Sequence, residues 1–208
     1  MFAILFIFIF ILLTNAAPSS LNMILFSLSF VILSYKATFI FKKEVILYLI
    51  GFIVSVFSMI FYNIGVFSYL ISGQLGLSLF LIVMFTGVFP IQWSLTKLLI
   101  KLRGTLSILG FILISPHAVL HLFEIIGGIN IFGIAAYALM IPLTIISFKT
   151  IRREINARDW KNIQKASYVI YLILFAHIIS IATWFDIVIY AVLLTLYVNN
   201  KLYKEFKK

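Results

Sequence analysis

Apolar stretches of about 20 residues recur along the whole chain and constrain its fold more than any other feature. A membrane-spanning helix needs about 20 consecutive apolar residues, with a range of roughly 17 to 25. Asn63 and Gly65 interrupt one long stretch and predict a kink or break there. We predict an all-α, polytopic membrane helical bundle of about eight spans. The eight segments are 2–17, 21–41, 45–71, 77–98, 105–126, 130–148, 166–184 and 186–200.

The composition agrees with this prediction and excludes several classes of protein. Apolar residues make up 64% of the 208 positions, charged residues make up 11%, and the mean hydropathy is +1.20. These values are far too apolar for a soluble globular domain. The chain has no cysteine. Disulfides, thiolate nucleophiles, cysteine-ligated iron–sulfur clusters and c-type haem attachment are therefore excluded.

Basic residues are confined to alternate connections between the apolar segments. The net charge is +10, and Lys and Arg follow the second, fourth, sixth and eighth segments. Because positively charged connections stay in the cytoplasm, this alternation places both termini inside and indicates an even number of spans. We interpret the charge as a topology signal and as contacts with anionic membrane lipids, with no nucleic-acid partner. The expected location is the cell membrane, with a multi-pass topology.

The predicted boundaries divide the chain into three parts. Residues 1–44 form two N-terminal spans, residues 45–200 a six-span domain, and residues 201–208 a basic cytoplasmic tail. The first segment also resembles a secretory signal peptide, because small residues follow its apolar core. We favour its retention as a span, since no Lys or Arg precedes the apolar run and Pro18 directly follows the candidate cleavage site.

All three histidines lie inside apolar segments. An ionisable residue within a membrane is costly enough to suggest a function, and imidazole is a common axial ligand of haem iron. With a helical rise of about 1.5 Å per residue, His117 lies roughly 21 Å beyond Arg103, and His177 lies roughly 18 Å beyond Lys165. The two segments run in the same direction, so facing imidazoles at nearly equal depth can clamp one haem. His117 and His177 are therefore the predicted iron ligands.

His121 follows His117 by one helical turn and shares its helix face. Its depth exceeds that of His177 by roughly 9 Å, which is a poor match for a shared iron. We expect His121 to contact a haem propionate, a quinone or interfacial water. The alternatives are an ordinary interfacial role for His121 and a purely structural pairing of the other two histidines. Glu124 and Asp186 are expected to be solvated loop charges near the outer surface.

Two sequence patterns precede the paired histidines. Residues 103–111 (RGTLSILGF) lead to His117, and residues 160–168 (WKNIQKASY) lead to His177. Over about residues 77–200 the chain resembles the ferric reductase-like transmembrane family. Its bacterial branch, the haem-binding membrane subunit of the methionine sulfoxide reductase system, is the most similar.

The resemblance implies a six-span core that binds b-type haem and carries electrons to an acceptor outside. It implies axial ligation by His117 and His177. It also implies only one haem b per chain, because Gln164 and Arg103 or Gly104 stand where two-haem members place further histidines. The expected donor is a quinol or a cytoplasmic flavoprotein, and the expected partner is an extracytoplasmic reductase. The chain would then be an electron-transfer subunit of an oxidoreductase. A transporter or channel component and a non-catalytic membrane scaffold are the alternatives.

Reporter fusions test the predicted orientation. A reporter that is active only in the cytoplasm should be active when fused after Lys43, Arg158 or Lys208, because these positions lie in basic connections or the basic tail. The same reporter should be inactive after Gly73 or Gly128, where an extracytoplasmic reporter should give the signal. An extracytoplasmic signal after Arg158 would contradict the orientation.

Overall fold

A computed structural model describes residues 18–206, apart from the side chains at positions 40, 42, 66, 69, 161, 202 and 204–206. Every regular element within that range is an α-helix, which confirms the predicted all-α class. The first predicted segment, 2–17, lies outside the described residues. The helices are α1 (Ser19–Lys36), α2 (Thr38–Lys42), α3 (Glu44–Ile60), α4 (Gly65–Ile71), α5 (Gln74–Thr86), α6 (Ser94–Leu122), α7 (Ile131–Ile145), α8 (Lys149–Glu154), α9 (Ala157–Gln164), α10 (Ala166–Ile181) and α11 (Trp184–Phe206).

Three helical stretches in this part of the chain are long and apolar enough to cross a membrane. They are α1, α6 and the 25-residue stretch Ala157–Ile181 that α9 and α10 form together. Helices α3, α5 and α7 are apolar but shorter. The count of about eight spans stays a prediction. The predicted break in segment 45–71 is present, because α3 ends at Ile60 and α4 begins at Gly65.

The predicted segment 77–98 is not a single helix. Helix α5 ends at Thr86, a turn follows, and α6 begins only at Ser94. Gly87 and Pro90 lie in this turn, and both residue types commonly end helices. The basic residues that the sequence places after this segment lie instead near the start of α6: Lys97, Lys101 and Arg103.

Helix α6 is the centre of the bundle and packs against α1, α3, α4, α5 and α7. Its closest neighbour is α5, at Gly76 and Gly110. A Cβ atom added to Gly76 would lie 2.8 Å from the carbonyl oxygen of Gly110 and 2.7 Å from the Cβ of Ile114. Small residues permit such an approach between helix backbones. Elsewhere α7 packs on α10, and α1 packs on α5 and α11.

The outer helices bury polar side chains and expose apolar ones. In α3 the buried residues are Gly51, Ser55 and Ser58. The exposed apolar residues of the same helix include Val45, Ile46, Leu49, Phe52 and Ile53. Hydrocarbon solvates such an apolar face, while serine hydroxyls and glycine mediate the contacts between helices. The arrangement is compatible with a membrane environment.

Asp186 is buried, with 3% of its surface exposed, so its assignment as a solvated loop charge is wrong. Its carboxylate accepts hydrogen bonds from the backbone N–H of Ser20 at 2.9 Å and from the hydroxyl groups of Ser20 at 2.5 Å and Thr183 at 2.8 Å. A carboxylate at a helix N-terminus satisfies an otherwise unpaired N–H and interacts favourably with the helix dipole. Asp186 thus fastens the start of α1 to the start of α11. Glu124 is exposed, as the sequence predicts.

Alanine substitution of Gly76 tests the contact between α5 and α6. The added methyl group would meet backbone atoms that cannot move independently, so we expect a loss of about 1 to 3 kcal/mol of stability. The measurement is the thermal unfolding midpoint of the purified protein in detergent. Gly65→Ala is the matched control, because nothing lies within 4 Å of a Cβ added there. Equal midpoints for the two variants would contradict the packing described here.

Candidate functional site

The structure brings the three histidine rings together between α6 and α10. The ring centroids of His117 and His121, both on α6, lie 4.4 Å apart. The ring of His177, on α10, lies 6.2 Å from that of His117. All three residues line one cavity of about 70 Å³. The two histidines that the sequence pairs by depth are therefore neighbours in space.

His121 is closer to this pair than its depth along the helix predicts. The spacing along α6 places this ring about one turn beyond the pair. Instead its imidazole lines the same cavity, where the hydrogen bond between Nδ1 and the Gly128 carbonyl holds it.

Backbone carbonyl groups hold two of the three rings. His117 Nδ1 lies 3.0 Å from the carbonyl oxygen of Ile71, and His121 Nδ1 lies 3.0 Å from that of Gly128. Because a carbonyl oxygen only accepts, Nδ1 carries the proton in each neutral ring and Nε2 keeps its lone pair. Metal-ligating histidines typically have this arrangement.

His177 is held through its backbone, not through its ring. Its Nδ1 is buried and has no hydrogen-bond partner among the described residues. The hydroxyl of Ser180 donates to the His177 carbonyl at 2.6 Å, and the Asn130 amide donates to the Ser180 hydroxyl at 2.9 Å. A buried polar atom without a partner costs about 1 to 3 kcal/mol, and in native proteins such atoms are few. The ring therefore offers an unused nitrogen at this position.

A glycine lies against each imidazole ring. A Cβ atom added to any of these glycines would lie between 2.7 and 3.1 Å from the nearest ring atom. Gly73 and Gly127 also have positive φ angles of 79° and 61°, which favour glycine. Each ring therefore packs directly on backbone. The pairs are Gly73 with His117, Gly127 with His121 and Gly133 with His177.

The rest of the cavity wall is largely apolar. Tyr137 contributes an aromatic ring that stacks on Phe111 at 5.0 Å, and its hydroxyl donates to Ser115 at 2.9 Å. Ligand pockets usually have volumes of about 300 to 1,000 Å³, so the 70 Å³ space must widen to admit anything larger than a water or a metal atom. The apolar lining residues are Leu77, Ile114, Ala118, Leu122, Ile134, Ala136, Met140 and Leu174.

Pro116 lies inside α6, immediately before His117, and the helix continues to Leu122. Proline has no N–H, so the carbonyl of Ile112 loses its usual helical donor. Ser55 of α3 donates its hydroxyl to this carbonyl at 2.8 Å. The sequence analysis does not identify Ser55. Pro116 indicates that the carbonyl of Ile112, four residues earlier, needs another hydrogen-bond donor. Only the packing of α3 shows that Ser55 supplies it.

Comparisons with protein-family models, curated proteins and solved structures find no match to this chain. Within residues 18–206, no group of three or more His, Asp or Glu side chains is arranged to hold a metal ion. The resemblance to the ferric reductase-like family and the assignment of iron ligands stay hypotheses.

A double-mutant cycle tests the role of Ser55. In the wild-type background, Ser55→Ala should cost about 1 to 3 kcal/mol, because the Ile112 carbonyl loses its donor. In a Pro116→Ala background the cost should be smaller, since the N–H of residue 116 can then make the helical bond. The measurement is the free energy of unfolding in detergent. Ser58→Ala is the matched control, because the Ser58 hydroxyl donates within α3 to the backbone carbonyl of Ser55, which Ser55→Ala keeps. A Ser55→Ala cost that is the same in both backgrounds would contradict the assignment.

Proposed function

We propose that this protein is an integral membrane b-type cytochrome. It would pass electrons from a quinol or flavoprotein donor to an extracytoplasmic acceptor or partner reductase. The observation that carries the proposal is the 6.2 Å approach of the His117 and His177 rings from two different helices. The ring planes are inclined at 65° to each other, and two imidazoles on neighbouring helices could together hold haem iron.

The chemistry of the residues fits haem b. The hydrogen bond between His117 Nδ1 and the Ile71 carbonyl would leave Nε2 of this ring to hold the iron. In His177 the Nδ1 is buried without a hydrogen-bond partner, so this ring lacks the carbonyl contact that His117 has. Because the Gly133 backbone contacts the His177 ring, we expect α7 to move away from this ring when the cofactor binds and the cavity widens.

The chain supplies binding, orientation and exclusion of water. Bound haem would contribute reversible one-electron chemistry. The Ile71 carbonyl and Gly73 fix the tautomer and the orientation of the His117 ring. The apolar side chains around the rings keep the site dry. The His121 ring, fixed by the Gly128 carbonyl, is proposed to contact a haem propionate or a quinone.

The proposed location is the cell membrane, with both termini in the cytoplasm. Three long apolar helices and the exposed apolar faces of the shorter ones support the membrane assignment. In the proposed topology the histidine cavity lies in the outer half of the membrane and faces an external acceptor. A membrane-soluble quinol, or a longer transfer from a cytoplasmic flavoprotein, would supply the electrons. The substrate of the complete oxidoreductase would then belong to the partner.

An ion or proton pathway through the histidines is the second candidate function. The observation that favours it is the presence of all three imidazoles in one cavity, because neighbouring histidines can relay protons. The two candidates differ in whether the purified protein carries haem. A protein without haem that conducts protons in liposomes would support the second candidate.

Histidine substitutions test the assignment of ligands. His117→Ala and His177→Ala should each abolish the sharp low-spin b-type spectrum of the reduced protein, because the iron loses a strong-field ligand. His121→Ala is the matched control from the same cavity. It should keep a low-spin spectrum, with at most a shift in reduction potential.

The measurement is the reduced-minus-oxidised absorbance spectrum of each variant in detergent, normalised to folded protein. Full low-spin spectra in both the His117 and the His177 variants would contradict the pairing. Complete loss of haem in His121→Ala would show that His121, and not His117, is the ligand on α6.

A further inference from the structure

A second and larger cavity lies at the end of the bundle that carries the basic residues. Its volume is about 830 Å³, within the range of about 300 to 1,000 Å³ that is usual for ligand pockets. Residues from α5, α6, α7, α9, α10 and α11 line it. It shares a single lining residue, Met140, with the histidine cavity. This space is therefore a separate site.

The wall of this basic cavity contains cations and no carboxylate. Arg103, Lys165 and Lys201 line it, and its described lining residues include neither Asp nor Glu. Near this end of the bundle Lys149 forms an ion pair with Glu44 at 2.7 Å. Neither Arg103 nor Lys165 takes part in this ion pair. Positive charges that line a low-dielectric cavity attract anions strongly. The cavity therefore favours a ligand with an anionic group.

Trp160 supplies a second contact for such a group. Its indole nitrogen is buried and has no hydrogen-bond partner among the described residues, although a buried tryptophan N–H usually finds one. The Arg103 guanidinium lies 5.5 Å from the centre of the Trp160 ring. The guanidinium lies over the ring face, whereas the indole N–H points outward in the ring plane. A group with several anionic oxygens, such as a phosphate, can therefore accept from the N–H at the ring edge with one oxygen and pair with the guanidinium through another.

Part of the remaining wall fits an apolar chain, because Phe80, Met84, Met140, Leu143 and Ile170 line the cavity. Other lining residues carry hydroxyl or amide groups, which can donate to a phosphate or to the polar part of a headgroup: Ser107, Thr144, Ser147, Gln164, Ser167, Tyr168, Tyr171 and Tyr197. A ligand that fills the space therefore combines an anionic head with an apolar body. Many lipids have this structure, and cations near the cytoplasmic ends of membrane helices bind the anionic headgroups of phospholipids.

We propose that the basic cavity binds the headgroup phosphate of an anionic phospholipid, with Arg103 and Trp160 as the main contacts and the apolar wall against the acyl chains. The site rests on the membrane location and not on haem, since none of the three histidines lines it. Bound lipid would join α6 and α9 to α10 and α11 at this end of the bundle.

Native mass spectrometry of the full-length protein tests this proposal. After delipidation in neutral detergent, the protein is titrated with phosphatidylglycerol, with phosphatidylcholine and with inorganic phosphate. We expect one phosphatidylglycerol per chain to bind more tightly than phosphatidylcholine. Arg103→Gln should weaken this binding by about fivefold. Trp160→Phe, which keeps an aromatic ring but removes the N–H, should also weaken it.

Arg158→Gln is the matched control, because it removes the same charge from an exposed residue of α9 that does not line the cavity. An equal loss in this control, or equal affinity for the two lipids, would overturn the proposal. Displacement of the lipid by inorganic phosphate at the same concentration would assign the site to a soluble phosphate compound instead.

A photoreactive phosphatidylglycerol provides a test on the wild-type protein, which does not depend on the folding of any variant. We expect the label to map to residues 140–147, at the end of α7 and just beyond it, or to residues 164–171, from the end of α9 into α10, because the cavity wall lies there. Labelling confined to the exposed face of α3 would overturn the proposal.

Discussion

The close approach of α5 and α6 at Gly76 and Gly110 determines where the candidate site lies. Because the two helices meet backbone to backbone, the chain just before α5 rests on the face of α6 that carries His117. The carbonyl of Ile71 then reaches His117 Nδ1, and Gly73 contacts the ring. A side chain at the helix contact would separate these groups. Packing between two helices thus fixes the tautomer and orientation of a ring one to two turns away.

The all-helical class and the proximity of His117 and His177 could be predicted from the sequence. Basic residues give a common reference depth for the two helices, although Arg103 lies within α6 and not at its end, and the helical rise converts spacing into depth. The boundary between α5 and α6 could not be predicted in this way. The residues around the Gly87 turn are also apolar, so hydropathy does not detect the turn. The position of the His121 ring depends on its hydrogen bond to the Gly128 carbonyl, which spacing along the helix does not show. The burial of Asp186 depends on a partner 166 residues away, and no local pattern encodes it.

The histidine cavity and the basic cavity differ in chemistry. The histidine cavity has a largely apolar lining beside its imidazoles, which suits a cofactor held by two of them, although its volume of about 70 Å³ must increase to admit one. The basic cavity is large and cationic. The proposed resemblance would place the further histidines of two-haem members at Gln164 and at Arg103 or Gly104, and of these residues Arg103 and Gln164 line the basic cavity. The proposal of a single haem and the proposal of a lipid site therefore concern different ends of the same bundle.

The haem content of the wild-type protein is the most direct test of the central claim that the imidazoles of His117 and His177 bind haem b. The protein would be produced with haem available, purified in detergent and analysed by the pyridine haemochrome method alongside its oxidised and reduced spectra. The account predicts a low-spin b-type spectrum and about one haem per chain. A folded protein without haem would contradict the claim, and about two haems per chain would contradict the single-site assignment.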